Sequence, residues 1–219
     1  FEGEGAALRA FTLTIALLLL CALFLLRKKP DLSQLSPRDG YVIAAEGWIL
    51  ISFFGALPFY FSGAFPGFVD CLFESVSGFT TTGATILADV EALSRGMLFW
   101  RGFTHWIGGM GILVFVVMLV NTPDRSINIL KAEMPGPTVD KLVPKSKDTA
   151  RTLYIIYTAL TALEVIFLLL GGMSLFDSVV HALSTAGTGG FGAYNASAAN
   201  FSPYIQWVLT VFMFLFAIN

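Results

Sequence analysis

The 219-residue chain is 56% hydrophobic and 13% charged, with a formal net charge of -2, against soluble norms of roughly 45–50% and 25%. Its mean hydropathy is +0.76, which leaves too little charge to coat a water-soluble globule and excludes intrinsic disorder. The charge balance gives no case for a nucleic-acid partner. Two cysteines, Cys21 and Cys71, are too few for a disulfide framework.

The sequence has no initiator Met, and residues 1–9 carry two acids and one arginine, unlike a basic leader. The first apolar run covers about 6–26, and no small-residue cleavage site follows it. The second covers about 41–61, the third about 97–120 and the fourth about 152–173. A fifth, about 203–219, is short, and the sequence stops directly after it. The chain therefore reads as a piece of a longer membrane protein. A span needs roughly 20 apolar residues, and lipid forces each span to satisfy its backbone as a helix.

Charge orients these spans. Arg27, Lys28, Lys29 and Arg38 follow the first, and Arg125, Lys131, Lys141, Lys145, Lys147 and Arg151 fill the loop after the third. The stretch 62–95 instead holds Asp70, Glu74, Asp89 and Glu91 against Arg95. The positive-inside rule puts 27–40 and 121–151 in the cytoplasm and 62–95 outside.

Two blocks are too short to cross. Residues 68–83 hold Asp70 and Glu74 and end in Thr80, Thr81, Thr82 and Gly83. Residues 175–190 hold Asp177 and His181 and end in Thr188, Gly189 and Gly190. Each predicts a short helix, 70–79 and 176–183, that enters from the outer face and returns. Protein or a water-filled cavity must shield such a segment.

The two blocks are copies. A shift of 107 residues lays Asp70 on Asp177, Ser77 on Ser184, Thr81 on Thr188 and Gly83 on Gly190; Glu74 falls on His181. The order span, short helix, Thr/Gly turn, span also repeats. Units of one topology imply parallel repeats about an axis along the membrane normal. The fold class is an all-α membrane protein built from such units. Its parts are a peripheral helix and link at 1–40, a first pore unit at 41–120, a connector at 121–151 and a second pore unit at 152–219.

A Thr/Gly turn at a helix C-terminus suits one chemistry. Potassium holds its water weakly, and rings of backbone carbonyls can replace that water. The helix C-termini add partial negative charge. Thr80, Thr81, Thr82, Gly83, Thr188, Gly189 and Gly190 are the candidate ion path, with backbone carbonyls as potassium ligands. One-residue slippage between Gly189 and Gly190 stays open.

Here the sequence resembles a known family. The run SGFTTTGAT at 77–85 resembles the first filter segment of the TrkH/TrkG/KtrB potassium uptake proteins. Trp100 and Arg101, followed by WIGGMG at 106–111, resemble the start of that family's next helix. AEMPGP at 132–137 looks like its cytoplasmic connector. HALST at 181–185 with TGGF at 188–191 resembles the second filter segment, and FMFL at 212–215 with Asn219 is similar to the end of the second unit. Chains of that family carry four units, so this one would hold two. The resemblance implies potassium uptake across the bacterial inner membrane, with potassium as substrate, no bound organic cofactor and no enzymatic activity. It implies a homodimer in the bilayer and a cytoplasmic nucleotide-binding ring that regulates opening.

Supporting residues follow. Asp70 and Asp177 open the two short helices as caps or first-turn acids, with attraction of cations to the outer mouth as the functional alternative. Glu74, if buried, needs a mate. Arg101 either snorkels or pairs with an outer acid, the second resembling a filter-supporting salt bridge. Glu164 lies deep in a span, where an acid must face protein or water; packing or support behind the second turn are its two readings. His105 and His181 lack ligand spacing and predict structural hydrogen bonds near the short helices. Gly102, Gly108, Gly109 and Gly111 predict close helix packing. Two other functions stay open: a secondary transporter of another small solute, and a non-conducting membrane scaffold.

Overall fold

The computed structural model describes residues 2–25, 27, 37–111 and 146–218. The connector motif at 132–137, most of the basic loop around it, and Asn219 lie outside the described residues. Among the described residues the elements are all helices: α1 (Glu2–Leu25), α2 (Pro37–Ser62), α3 (Phe68–Phe79), α4 (Arg95–Met110), α5 (Ser146–Leu170), α6 (Leu175–Ala186) and α7 (Pro203–Ala217). The long apolar runs of α1, α2 and α5 are long enough to cross a membrane. Their outward faces carry exposed aliphatic residues such as Leu8, Leu20, Ile49, Ile155 and Ile166, as lipid contact requires.

Local chemistry sets the helix starts. The Ser94, Ser174 and Ser202 side chains accept from the backbone amides of Met97, Asp177 and Ile205, capping α4, α6 and α7. Pro203 at the first turn of α7 costs no helix hydrogen bond. Asp70 and Asp177 both sit in first turns; the cap positions belong to Gly67 and Ser174. The third span was expected over about 97–120. The described helix starts earlier, at the Ser94 cap, and ends at Met110, where Gly111 turns the chain at φ 75°; residues 112–120 lie outside the described residues.

The two short helices match without slippage, because a shift of 107 carries Phe68 onto Leu175 and Phe79 onto Ala186. α2, α3 and α4 pack as one unit and α5, α6 and α7 as another; α4 then packs along α6, and α1 lies on α2. Apolar clusters fill each unit: Ala56, Phe59, Cys71 and Met97 in the first, Leu168, Ala182, Val208 and Phe212 in the second. Leu98 and Val180 bridge the two.

Small residues let the bridge close. Lipid is as apolar as leucine, so helices in it meet through tight packing. A β-carbon at Gly108 would strike the Phe79 carbonyl, and one at Gly109 would crowd Gly187. Helix α4 is thus a wedge between the C-terminal ends of α3 and α6.

Candidate functional site

Both short helices end in the same hydrogen-bond pattern. After α3, the amides of Thr80, Thr81 and Thr82 donate to the carbonyls of Val76, Gly78 and Ser77 at 2.9, 3.1 and 3.0 Å. After α6, Gly187, Thr188 and Gly189 donate to Leu183, Thr185 and Ser184 at 3.3, 2.8 and 3.4 Å. Every donor and acceptor corresponds at the shift of 107. The next step corresponds too: Thr81 and Thr188 both stand at φ 55°, Gly83 at 74° and Gly190 at 84°. A β-branched residue at positive φ is strained by roughly 1–3 kcal/mol, and it occurs here twice at equivalent positions.

This pattern spends the turn's donors and leaves its acceptors open. Among the described residues no donor reaches the carbonyls of 80–83 or 188–190. The turns also meet. The Gly189 carbonyl oxygen lies so close to Gly83 that a β-carbon there would collide with it. Beneath them, Thr81 and Thr188 line one cavity of about 440 Å³, walled by Gly108, Tyr157, Phe216 and others. All seven candidate ion-path residues therefore lie on two adjoining turns.

A buried clamp ties the turns together from outside the cavity. Glu74 on α3 and Arg101 on α4 are 0% and 2% exposed and form an ion pair at 2.7 Å. Glu74 also accepts from the Thr85 hydroxyl at 2.9 and 3.0 Å and from the Ile86 amide at 3.3 Å. Arg101 then crosses to the second unit, donating to the Gly192 carbonyl at 3.1 Å and stacking 4.1 Å over the Phe191 ring. Ser77 Oγ donates to the Ala84 carbonyl, holding the first turn to its own helix.

Outside the turns, Asn195 knits the outer loops. Its Oδ1 accepts from the Val90 amide at 2.8 Å, its Nδ2 donates to Asp89 at 2.7 Å, and its backbone amide donates to Glu91 at 3.0 Å. Tyr194 donates to Asp177 at 2.9 Å. Burial first, then that bond, raises the Tyr194 phenol above its ordinary range and keeps it a donor. Sequence reasoning placed Phe191 in the second filter segment without its partner and missed Asn195, which carries no spacing signal; only the fold brings Asn195 to the loop at 89–91.

Other expectations resolve differently. Glu164 is fully buried beside the Thr185 hydroxyl, yet neither of its oxygens completes a hydrogen bond among the described residues. His181 Nδ1 lies 2.8 Å from the Asp177 carbonyl, as a structural histidine should. His105 departs from that expectation. The Arg101 carbonyl faces it but accepts the Thr104 hydroxyl at 2.7 Å, and among the described residues neither ring nitrogen completes a bond. Glu46 is exposed.

Apolar spans and a duplicated helix–turn unit define a multi-pass membrane protein. Residues 7–219 match the TrkH family, described as cation transport protein, and the chain belongs to that family. The Trk system potassium uptake protein TrkH of Escherichia coli (strain K12) is 38% identical over 225 residues, covering 100% of this chain and 46% of its own length. TrkG of the same strain is 40% identical over 192 residues, 85% of this chain and 39% of that one. The crystal structure of the potassium transporter TrkH from Vibrio parahaemolyticus superposes with a TM-score of 0.80 at 32% identity, over 98% of this chain and 43% of that one. The chain spans about half the length of the curated relatives it matches.

Proposed function

We propose that this chain forms two units of a potassium uptake pathway in the bacterial inner membrane, with potassium as the substrate and no enzymatic step. The observation that carries the reading is the set of unpaired carbonyls at 80–83 and 188–190 on adjoining turns above one cavity. The residues of both turns are exposed or half-buried, so these carbonyls are open to water. A weakly hydrated cation can exchange its own water for them.

In this reading α3 and α6 are re-entrant pore helices that dip from the outer face, one within each pore unit, 41–120 and 152–219. Their C-terminal dipoles point negative ends at the ion. Asp70 and Asp177 sit at the outer ends of those helices and attract cations. Glu74 and Arg101 fix the two turns relative to each other, and Glu164 stands behind α6. The ion moves down its electrochemical gradient, without a bound organic cofactor. The intact protein works as a homodimer, and a cytoplasmic nucleotide-binding ring contacts the connector at 121–151 to regulate opening.

The deciding measurement is monovalent-cation flux through the intact protein in liposomes. Potassium should pass in preference to sodium, and Gly83→Asp should abolish it. Potassium flux unchanged by Gly83→Asp would remove the turns from the pathway.

A further inference from the structure

The shift of 107 lays Gly189 on Thr82, so the two turns differ there by a whole side chain. Backbone conformation does not demand this glycine. Gly83 and Gly190 hold positive φ, and Gly189 does not. Space demands it: a β-carbon on Gly189 would land on the imidazole of His105, at Cδ2 and Nε2. That ring comes from α4, in the other unit.

His105 is fully buried, and it touches the second turn at three places. Its backbone carbonyl packs on Gly187, its ring on Gly189, and its ring edge on Phe191 at 4.1 Å between centroids. Phe191 is held from another side by the Arg101 guanidinium, also at 4.1 Å. Two side chains one turn apart on α4 therefore grip the residue that follows Gly190. Among the described residues neither imidazole nitrogen is hydrogen-bonded, which costs stability. What the ring contributes at this position is volume.

We propose that His105 is a positioning residue for the second turn and determines its ion specificity. From the neighbouring unit it fills the space that a side chain on Gly189 would occupy. It thereby fixes the distance between the Gly189 carbonyl and Gly83. Coordination by carbonyls is sensitive to such distances, because potassium and sodium differ in size. The specificity claim rests on the ion-path reading above; the packing claim stands on geometry alone.

The test is a double-mutant cycle in the intact protein carrying this sequence: wild type, Gly189→Ala, His105→Ala and the pair. Two quantities are read, the potassium-to-sodium uptake ratio in liposomes and the thermal unfolding midpoint in detergent. Each single change lowers the ratio about tenfold, and the pair recovers most of it, because the new methyl enters the space the ring vacates. His105→Phe keeps the ratio and His105→Asn loses it, since a ring shape is what the turn uses. That second contrast serves if His105→Ala yields no folded protein. Strictly additive effects, an unchanged ratio in His105→Ala, or rescue by Asn where Phe fails would each overturn the proposal. A wild-type protein that moves no potassium, while the thermal midpoints still couple His105 to Gly189, overturns the ion-path reading and the specificity claim with it. Additive midpoints with selective wild-type flux overturn the packing pair alone.

Discussion

Arg101 Nε lies 2.7 Å from Glu74 Oε1, with both side chains shut off from solvent. The pair joins a helix of the first unit to a carbonyl of the second. Removing one member strands a buried charge, which costs about 3–5 kcal/mol. Glu74→Gln and Arg101→Met should each lower the thermal midpoint sharply and abolish uptake. The double variant Glu74→Leu with Arg101→Met should regain much of the stability, because the uncompensated charge is gone, but not the uptake, because Gly192 has lost its donor. Additive loss of stability in the double variant would contradict this account.

Gly83 and Gly190 are equivalent in sequence and in φ, yet they sit in different surroundings. A β-carbon at Gly83 meets the Gly189 carbonyl, whereas at Gly190 it meets nothing within 4 Å among the described residues. Alanine at 190 therefore costs only backbone strain, about 1–2 kcal/mol. Alanine at 83 adds a collision across the two turns. Uptake should fall far more in Gly83→Ala than in Gly190→Ala. Equal losses would mean that the turns do not adjoin as described.

Much of this architecture was legible because lipid simplifies the problem. Long apolar runs must be helices, and the copy at a shift of 107 places both short helices from sequence alone. The caps were half legible: Asp70 and Asp177 marked first turns, but the cap at the second site is Ser174. The cross-unit pairings were not legible. Nothing in the sequence sends Arg101 to Gly192 and Phe191, or His105 to Gly189, because those meetings depend on how α4 wedges between α3 and α6. The end of α4 at Gly111 was likewise hidden inside a continuous apolar pattern.

Asn195 satisfies three polar groups of the loop at 89–91. Asn195→Ala keeps the backbone donation to Glu91 but strips the Val90 amide of its acceptor. The expected cost is about 1–3 kcal/mol, confined to the outer loops. Hydrogen exchange should speed up at Val90 and its neighbours, with little change in α2 or α5. Exchange that rises evenly through the protein would show that the loops do not open as a separate unit.

Glu164 tests what a buried acid in a span is for. It is 0% exposed on α5, beside Thr185 of α6, with neither oxygen hydrogen-bonded among the described residues. A carboxylate there is expensive, at roughly 2.5–3.5 kcal/mol on insertion scales, so a purely structural residue would be replaceable by an apolar one. If Glu164 supports the second turn through Thr185, Gln keeps the amide oxygen in reach of that hydroxyl and Leu does not. Uptake should survive in Glu164→Gln within about twofold and drop at least tenfold in Glu164→Leu, even where Leu raises the thermal midpoint. Thr185→Val should copy the Leu defect and add little to it, because both remove one contact. Equal uptake in the Gln and Leu variants would reduce Glu164 to packing, and additive losses with Thr185→Val would place its role elsewhere.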